Sequence, residues 1–453
     1  MIHASQLSIL TEEMIDELHM LDLHVHLPGT IKPETAWQLG LNNNLIKIIK
    51  KGDTTLAVPG SKKLGFKDNF KSYLDIFNDN FSISADGKVK NIKYKLSEGK
   101  KFKSFDAIMA TVQGHRHPPG GIQSVGDICY VFDQFLGDCI NQKIVYVEMQ
   151  QNIKIAYLFY RDLEKANARK KLFKLFQKIS NKFANNDITL KFLHCFNKTT
   201  AAGEVMSAQQ RTLEAARWLK EAQEHTPGLF VGLESAGNEK DQSGWPTHLK
   251  DGYDMVHKMG LGCEAHGGEG IGVEHMMDVA QTLPINRMAH GFQVIEDQAA
   301  INYVKKQGLT LIMTPIVNLN LGMCIHAKQS GEQTIPCGKN KGGTKLFITE
   351  LYHHPFFSLF RKYKLKITIG SDNPNLGGVP LKRVIKALAG LDPEYSIPKN
   401  FITLKAEELA ILCMNSINVA FSDQKTKNKL RQKLLEWIKK YNVEQSYIDN
   451  FYY

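Results

Sequence analysis

Apolar residues in this chain gather into short runs bounded by turn residues, not into long heptad or membrane-length stretches. Eight of these runs read as strands: LDLHVHL (21–27), IVYVEMQ (144–150), ITLKFLHCF (188–196), LFVGLES (229–235), LGCEAHG (261–267), RMAHGF (287–292), TLIMTPI (310–316) and KITIGSD (366–372). The segments between them carry helical spacing, as in EVMSAQQRTLEAARWLKEAQEH over 204–225. Strands alternating with helices predict a parallel sheet covered by helices, and eight strands predict closure into an α/β (β/α)₈ TIM-type barrel. The rival is an open doubly wound sheet, which often binds its ligand through a glycine-rich phosphate turn; none follows the first strand.

Two connections are longer than a barrel needs. One separates strands 1 and 2 and holds the aromatic segment NFKSYLDIFNDNF (69–81) and a lysine-rich stretch; the other, 319–350, is rich in Gly, Lys and Asn. Connections of this size are usually lids or specificity elements. Both would emerge at the C-terminal face of the barrel, where active sites form. The expected organisation is one domain over residues 1–453, with 28–143 as an insertion or lid region and 375–453 as a helical C-terminal region.

Composition narrows the class. A chain of 453 residues with 43% hydrophobic content can bury a large core. No apolar run reaches membrane length, and the mixed, acidic start MIHASQLSILTEEMIDELHM does not read as a secretion signal, so a cytoplasmic protein is expected. Seven cysteines without paired spacing argue against a disulfide framework. The net charge of +11 favours anionic partners. Lysines concentrate in 88–103 and 425–440, although such runs usually only face water.

Two His-x-His pairs occur, His24/His26 and His115/His117, and 16 histidines make such pairs expected by chance. The second runs into Pro118, Pro119, Gly120 and Gly121 and reads as a turn. The first ends strand 1. His266 ends strand 5, His290 ends strand 6 and Asp372 ends strand 8, so in a barrel all five converge. His24 and His26, two apart on an extended chain, project to one side. Imidazole with a carboxylate suits a catalytic zinc that keeps a position open for water. Glu269 follows His266 by three residues and is free to carry protons. His290 reads as an orienting or charge-stabilising group.

LDLHVHLPGT (21–30), VGLESAGNE (231–239), EAHGGEG (264–270), RMAHGFQVIED (287–297) and TIGSDNP (368–374) resemble, in order and in strand position, the blocks of the adenosine and AMP deaminases among the metal-dependent amidohydrolases. The resemblance covers roughly residues 20–425. It implies one zinc per chain held by His24, His26, His266 and Asp372, with Glu269 giving a proton to purine N1 and His290 beside the attacking hydroxide. It further implies that the Gly237 amide touches N3 and that hydrolysis at C6 releases ammonia.

Two positions depart from that pattern. Pro28 stands where nucleoside deaminases carry the aspartate that contacts the ribose 5′-hydroxyl, and Pro offers neither a side-chain acceptor nor a backbone donor. Asn373 replaces the aspartate that faces N7 and cannot exchange a proton. The expected activity is therefore zinc-dependent deamination of a purine nucleoside or a 5′-substituted adenosine: adenosine, AMP, a larger adenine nucleotide, or an adenosine-bearing group on a larger molecule. The alternatives are an amidohydrolase acting on a different ring or amide, or a catalytically reduced purine-binding regulatory protein. Nucleic acid is not expected as a partner, because Pro336-Cys337 lacks the second cysteine of the zinc deaminases that edit it.

Overall fold

The computed structural model describes residues 7–51, 54–60, 74, 82–83, 89–90, 121–199, 206–237, 239, 244–326, 338–339, 345–375 and 378–452. The turn at 115–117, Cys337, and most of the 69–81 and 88–103 segments lie outside these residues.

Eight parallel strands form one sheet: β1 (Met20–His26), β2 (Ile144–Gln151), β3 (Thr189–Asn197), β4 (Phe230–Ala236), β5 (Gly262–Gly267), β6 (Arg287–His290), β7 (Thr310–Met313) and β8 (Ile367–Ile369). A parallel bridge between Val25 and Asp372 brings the last edge back to β1. His26 N donates to Asp372 O at 2.8 Å and Asp372 N to His24 O at 2.7 Å, giving a (β/α)₈ TIM barrel.

The later strands stop earlier than the apolar runs suggest. β6 ends before Gly291, whose φ of 69° turns the chain into a 3₁₀ segment, Phe292–Glu296. β7 ends before Pro315, which opens the helix Pro315–Asn320. The expected 204–225 helix spans Ala208–His225, where Ser207 and Gln210 form a capping box.

β1 shows how the strands divide their side chains. Leu21, Leu23 and Val25 are buried apolar residues, while the alternate positions carry Asp22, His24 and His26, also buried. In a barrel, one set packs beneath the helices and the other lines the interior.

The C-terminal region closes the barrel's lower end. The Phe421 ring lies 3.9 Å from the Arg287 guanidinium, and its backbone N–H donates to Glu148 Oε1 at 2.6 Å. A Cβ on Gly262 would come within 2.3 Å of the same ring, so the first residue of β5 is glycine because an aromatic plug sits against it. Beyond it, helix Gln424–Lys440 buries Leu430, Leu434 and Trp437, one stripe at helical spacing, and Trp437 Nε1 ties to Met14 O at 2.8 Å. The lysine run 425–440 is thus mainly the outer face of an amphipathic helix.

Candidate metal and catalytic site

A column of buried charge rises from the plug through the barrel. Arg287, fully buried, pairs with Glu148 Oε2 and, at 2.5 Å, with Glu264 Oε2. The other Glu264 oxygen lies 2.6 Å from His24 Nδ1. Gln150 steadies this layer: its Oε1 accepts from Val25 N at 2.7 Å and its Nε2 donates to Glu264 Oε1 at 3.3 Å. On the neighbouring strand Glu234 Oε1 holds His266 Nδ1. With each Nδ1 engaged by a carboxylate, each Nε2 is left to face the centre.

The rings converge. The His24 centroid lies 5.0 Å from His26, 4.9 Å from His266 and 5.7 Å from His290. Asp372 Oδ1 is 3.6 Å from His26 Nε2 and 3.9 Å from His24 Nε2. His24, His26 and His266 offer ring nitrogens within 4.8 Å of one another, and the ring nitrogens of His24 and His290 and a carboxylate oxygen of Asp372 lie equally close. His24 Nε2 is buried without a hydrogen-bond partner. An orphaned ring nitrogen amid imidazoles and a carboxylate fits a divalent cation of the zinc type. Burial, then the His24 charge, lowers His26 to about 3; burial also holds His266 well below its usual value. Both are thus neutral, as a metal ligand must be, whereas at His24 burial is more than offset by the Glu264 carboxylate, which raises the ring to about 9, so an ion would bind there in exchange for a proton.

His290 and Asp372 leave their strands with φ of 61° and 58°, a left-handed conformation that non-glycine residues rarely adopt and that concentrates at functional sites. Glu269 Oε2 stands 3.4 Å from His290 Nε2. Burial first, then the Asp372 and Glu239 carboxylates, push the Glu269 carboxyl well above the usual range, which favours its protonated form. Its loop is held from behind, because Glu239 Oε2 accepts from Glu269 N at 3.1 Å and from Gly270 N at 2.8 Å.

The two departures from the family pattern lie side by side. Pro28 opens the turn Leu27–Thr30 directly after β1. A Cβ on Gly29 would lie 2.4 Å from Asn373 Cα, and Asn375 N donates to Gly29 O at 2.8 Å, so this turn and the Asp372 segment are in close contact. Asn373 Nδ2 donates to Asp372 Oδ1 at 2.5 Å, leaving one amide hydrogen free. Gly237 lies one residue beyond β4 with φ of 121°, and a Cβ there would meet Asn197 Oδ1 at 2.3 Å. Only glycine fits that place.

Sequence reasoning gave no role to Glu234, Glu264, Arg287, Gln150 or Glu239. The signal was available for Glu264, which precedes His266 by two residues on a wholly buried strand and therefore shares its inward face.

A (β/α)₈ barrel gathers this histidine and aspartate centre at its strand ends, and the comparisons with known proteins point the same way. The adenosine deaminase family profile matches residues 116–330. An adenine deaminase of Chelativorans sp. is 25% identical over 206 residues, 46% of this chain and 52% of its own, so the match spans about half of that relative. Another, from Chlorobium phaeobacteroides, is 21% identical over 92% of this chain and 96% of its own. Among solved structures, a Burkholderia ambifaria amidohydrolase with bound zinc superposes with a TM-score of 0.63 at 14% identity, covering 96% of this chain and 94% of its own. An Arabidopsis protein complexed with GMP gives 0.58 at 16% identity, covering 94% and 98%. The chain is thus similar to the adenosine and adenine deaminases of the amidohydrolase superfamily, the family profile matching a little under half of its length. Among the described residues, no helix is long and apolar enough to cross a membrane.

Proposed function

We propose that this protein is a zinc-dependent aminohydrolase that removes the 6-amino group of an adenine carried on a nucleoside or on a 5′-substituted adenosine. The observation that carries the reading is the convergence of His24, His26, His266 and Asp372 beside Glu269, which faces His290 and whose pKa is raised by burial. The first four would hold one zinc ion. Such an ion lowers the pKa of water from about 15.7 to about 7 and so supplies hydroxide at neutral pH.

Glu269 donates its proton to purine N1 as hydroxide adds to C6, which relieves the charge developing on the ring. Glu269, now a carboxylate, passes the proton of the added hydroxyl to the amino group, and collapse of the tetrahedral carbon then breaks the C6–N bond and releases ammonia, leaving the carbonyl of the inosine form. His290 fixes the position of the incoming oxygen, and the Gly237 amide and the free Asn373 amide hydrogen meet the ring at N3 and N7.

Pro28 and the +11 charge favour groups beyond the ribose, and the Arabidopsis neighbour complexed with GMP is a protein of this fold with a 5′-nucleotide bound. Phosphate-bearing adenosines should therefore exceed adenosine in kcat/KM, with an advantage that shrinks as salt screens exposed charge over about 8 to 10 Å. The test is ammonia release by the zinc-loaded protein from adenine, adenosine, AMP, N6-methyl-AMP, ADP and ADP-ribose. Release from none of them would leave an amidohydrolase for a different ring. Adenosine as the best substrate, at a salt-independent rate, would remove the argument from Pro28.

A further inference from the structure

Behind His290 runs a chain of buried polar groups that the chemistry above does not use. The Phe356 backbone N–H donates to His354 Nδ1 at 3.1 Å. A neutral imidazole accepting at Nδ1 carries its hydrogen on Nε2. His354 Nε2 lies 3.3 Å from Asn318 Oδ1, so it is the donor and the amide oxygen the acceptor. This fixes which way the Asn318 amide points. Its NH₂ group is therefore the one turned toward His290, with Nδ2 at 3.2 Å from His290 Nδ1. His290 Nδ1 must accept, which puts the ring hydrogen on Nε2, the atom 3.4 Å from Glu269 Oε2.

Thr314 sits beside this chain, and its hydroxyl has two acceptors within reach, Asn318 Oδ1 at 3.3 Å and His290 Nδ1 at 2.9 Å; with His290 Nδ1 accepting, the single hydroxyl hydrogen turns to the nearer, His290. A hydroxyl both donates and accepts, so it tolerates either form of His290; the amide NH₂ does not. His290, Asn318, His354 and Thr314 are at most 2% exposed, which keeps water from substituting for any link.

We infer that Asn318 and His354 are positioning residues that lock His290 as its Nε2–H tautomer, with one backbone N–H setting the direction of the whole chain. In that form His290 presents a hydrogen-bond donor to the reaction chamber. It stabilises charge on the entering oxygen and does not serve as the base that takes a proton. Its catalytic meaning rests on the deaminase reading above; the tautomer itself does not.

The test is NMR of the zinc-loaded protein labelled with ¹⁵N-histidine, with the His290 signals assigned by their loss in His290→Gln. The wild type should show the His290 hydrogen on Nε2. Asn318→Asp replaces the NH₂ group with an acceptor of nearly the same shape, so the hydrogen should move to Nδ1. Turnover should then fall by on the order of 10²-fold or more, as expected when a proton-handling group presents the wrong face. His354→Leu should release the amide and give a mixture of tautomers, and His354→Gln, which keeps a donor toward Asn318, should restore the single form. Thr314→Val should leave the tautomer unchanged.

A wild-type ring protonated on Nδ1 would overturn the inference. So would an unmoved hydrogen in Asn318→Asp or, if that variant does not fold, a pure Nε2–H form in His354→Leu. Because the tautomer is read without substrate, a protein that shows it yet deaminates no adenine compound would sink the proposed activity alone.

Discussion

Glu264 reaches across the barrel to His24, its Oε1 2.6 Å from the ring Nδ1, while its Oε2 lies 2.5 Å from the buried Arg287. One carboxylate thus orients a candidate metal ligand and is itself anchored by the charge beneath it. Glu264→Gln keeps the shape and loses the charge. Zinc affinity should fall about 10- to 100-fold, the usual effect of removing such a support, and competition with a chromogenic chelator measures it. Unchanged affinity would mean that His24 is held by packing alone.

Glu269→Gln should retain zinc and lose about 10²- to 10⁴-fold in turnover, because an amide has the carboxyl's outline but no proton to give. The Glu269 carboxyl sits well above its ordinary range through burial and then through Asp372 and Glu239. The active, protonated form therefore persists to higher pH than an ordinary carboxyl allows and is lost as pH rises further. The alkaline fall of kcat/KM should reflect this group and vanish from the residual rate of the variant. An identical alkaline limb in both proteins would assign it elsewhere.

Gly29→Ala places a methyl group 2.4 Å from Asn373 Cα. Backbone cannot swing aside as a side-chain tip can, so the β1 turn and the Asp372 segment must separate. Overpacking of this kind costs about 1 to 3 kcal/mol. Thermal unfolding with and without zinc should show a larger loss in the zinc-bound protein, since Asp372 is displaced along with its neighbour. Equal losses would make Gly29 a packing residue only.

Lys382 is 6% exposed and donates to Asp16 O; burial, partly offset by Asp16, lowers its pKa from 10.5 to about 8. The folded state therefore binds fewer protons than the unfolded state between those values. Its destabilising effect is fully present below about pH 8 and disappears as pH rises toward 10.5. Lys382→Met should stabilise the protein at neutral pH by up to about 3 kcal/mol, the free energy of a shift of that size, and by much less near pH 10. Urea unfolding at the two pH values checks it, and a pH-independent difference would assign the effect to packing.

Along the chain, short apolar runs bounded by turn residues are a local property, and they were enough to place the eight strands, with His24, His26 and His266 at strand ends. Such runs, and the period of two that sets His24 and His26 on one side of their strand, carry that information without reference to any neighbour. The (β/α)₈ expectation followed from the count and the alternation with helices, and closure through Val25 and Asp372 agrees with it.

What tertiary structure alone decided is which inward side chains meet. Glu264 and His24 are 240 residues apart and Arg287 and Glu148 are 139 apart; only strand register and barrel closure bring them into contact. The sequence likewise carried no local sign that Phe421 would plug the lower end beside Gly262, or that Gly29 would press on Asn373. Nor does any short motif reveal that a backbone N–H at Phe356 orients His290 through His354 and Asn318. A side chain's facing is written in its own strand, but its hydrogen-bond partners and its tautomer belong to groups that the closed barrel brings within 3 to 4 Å of it.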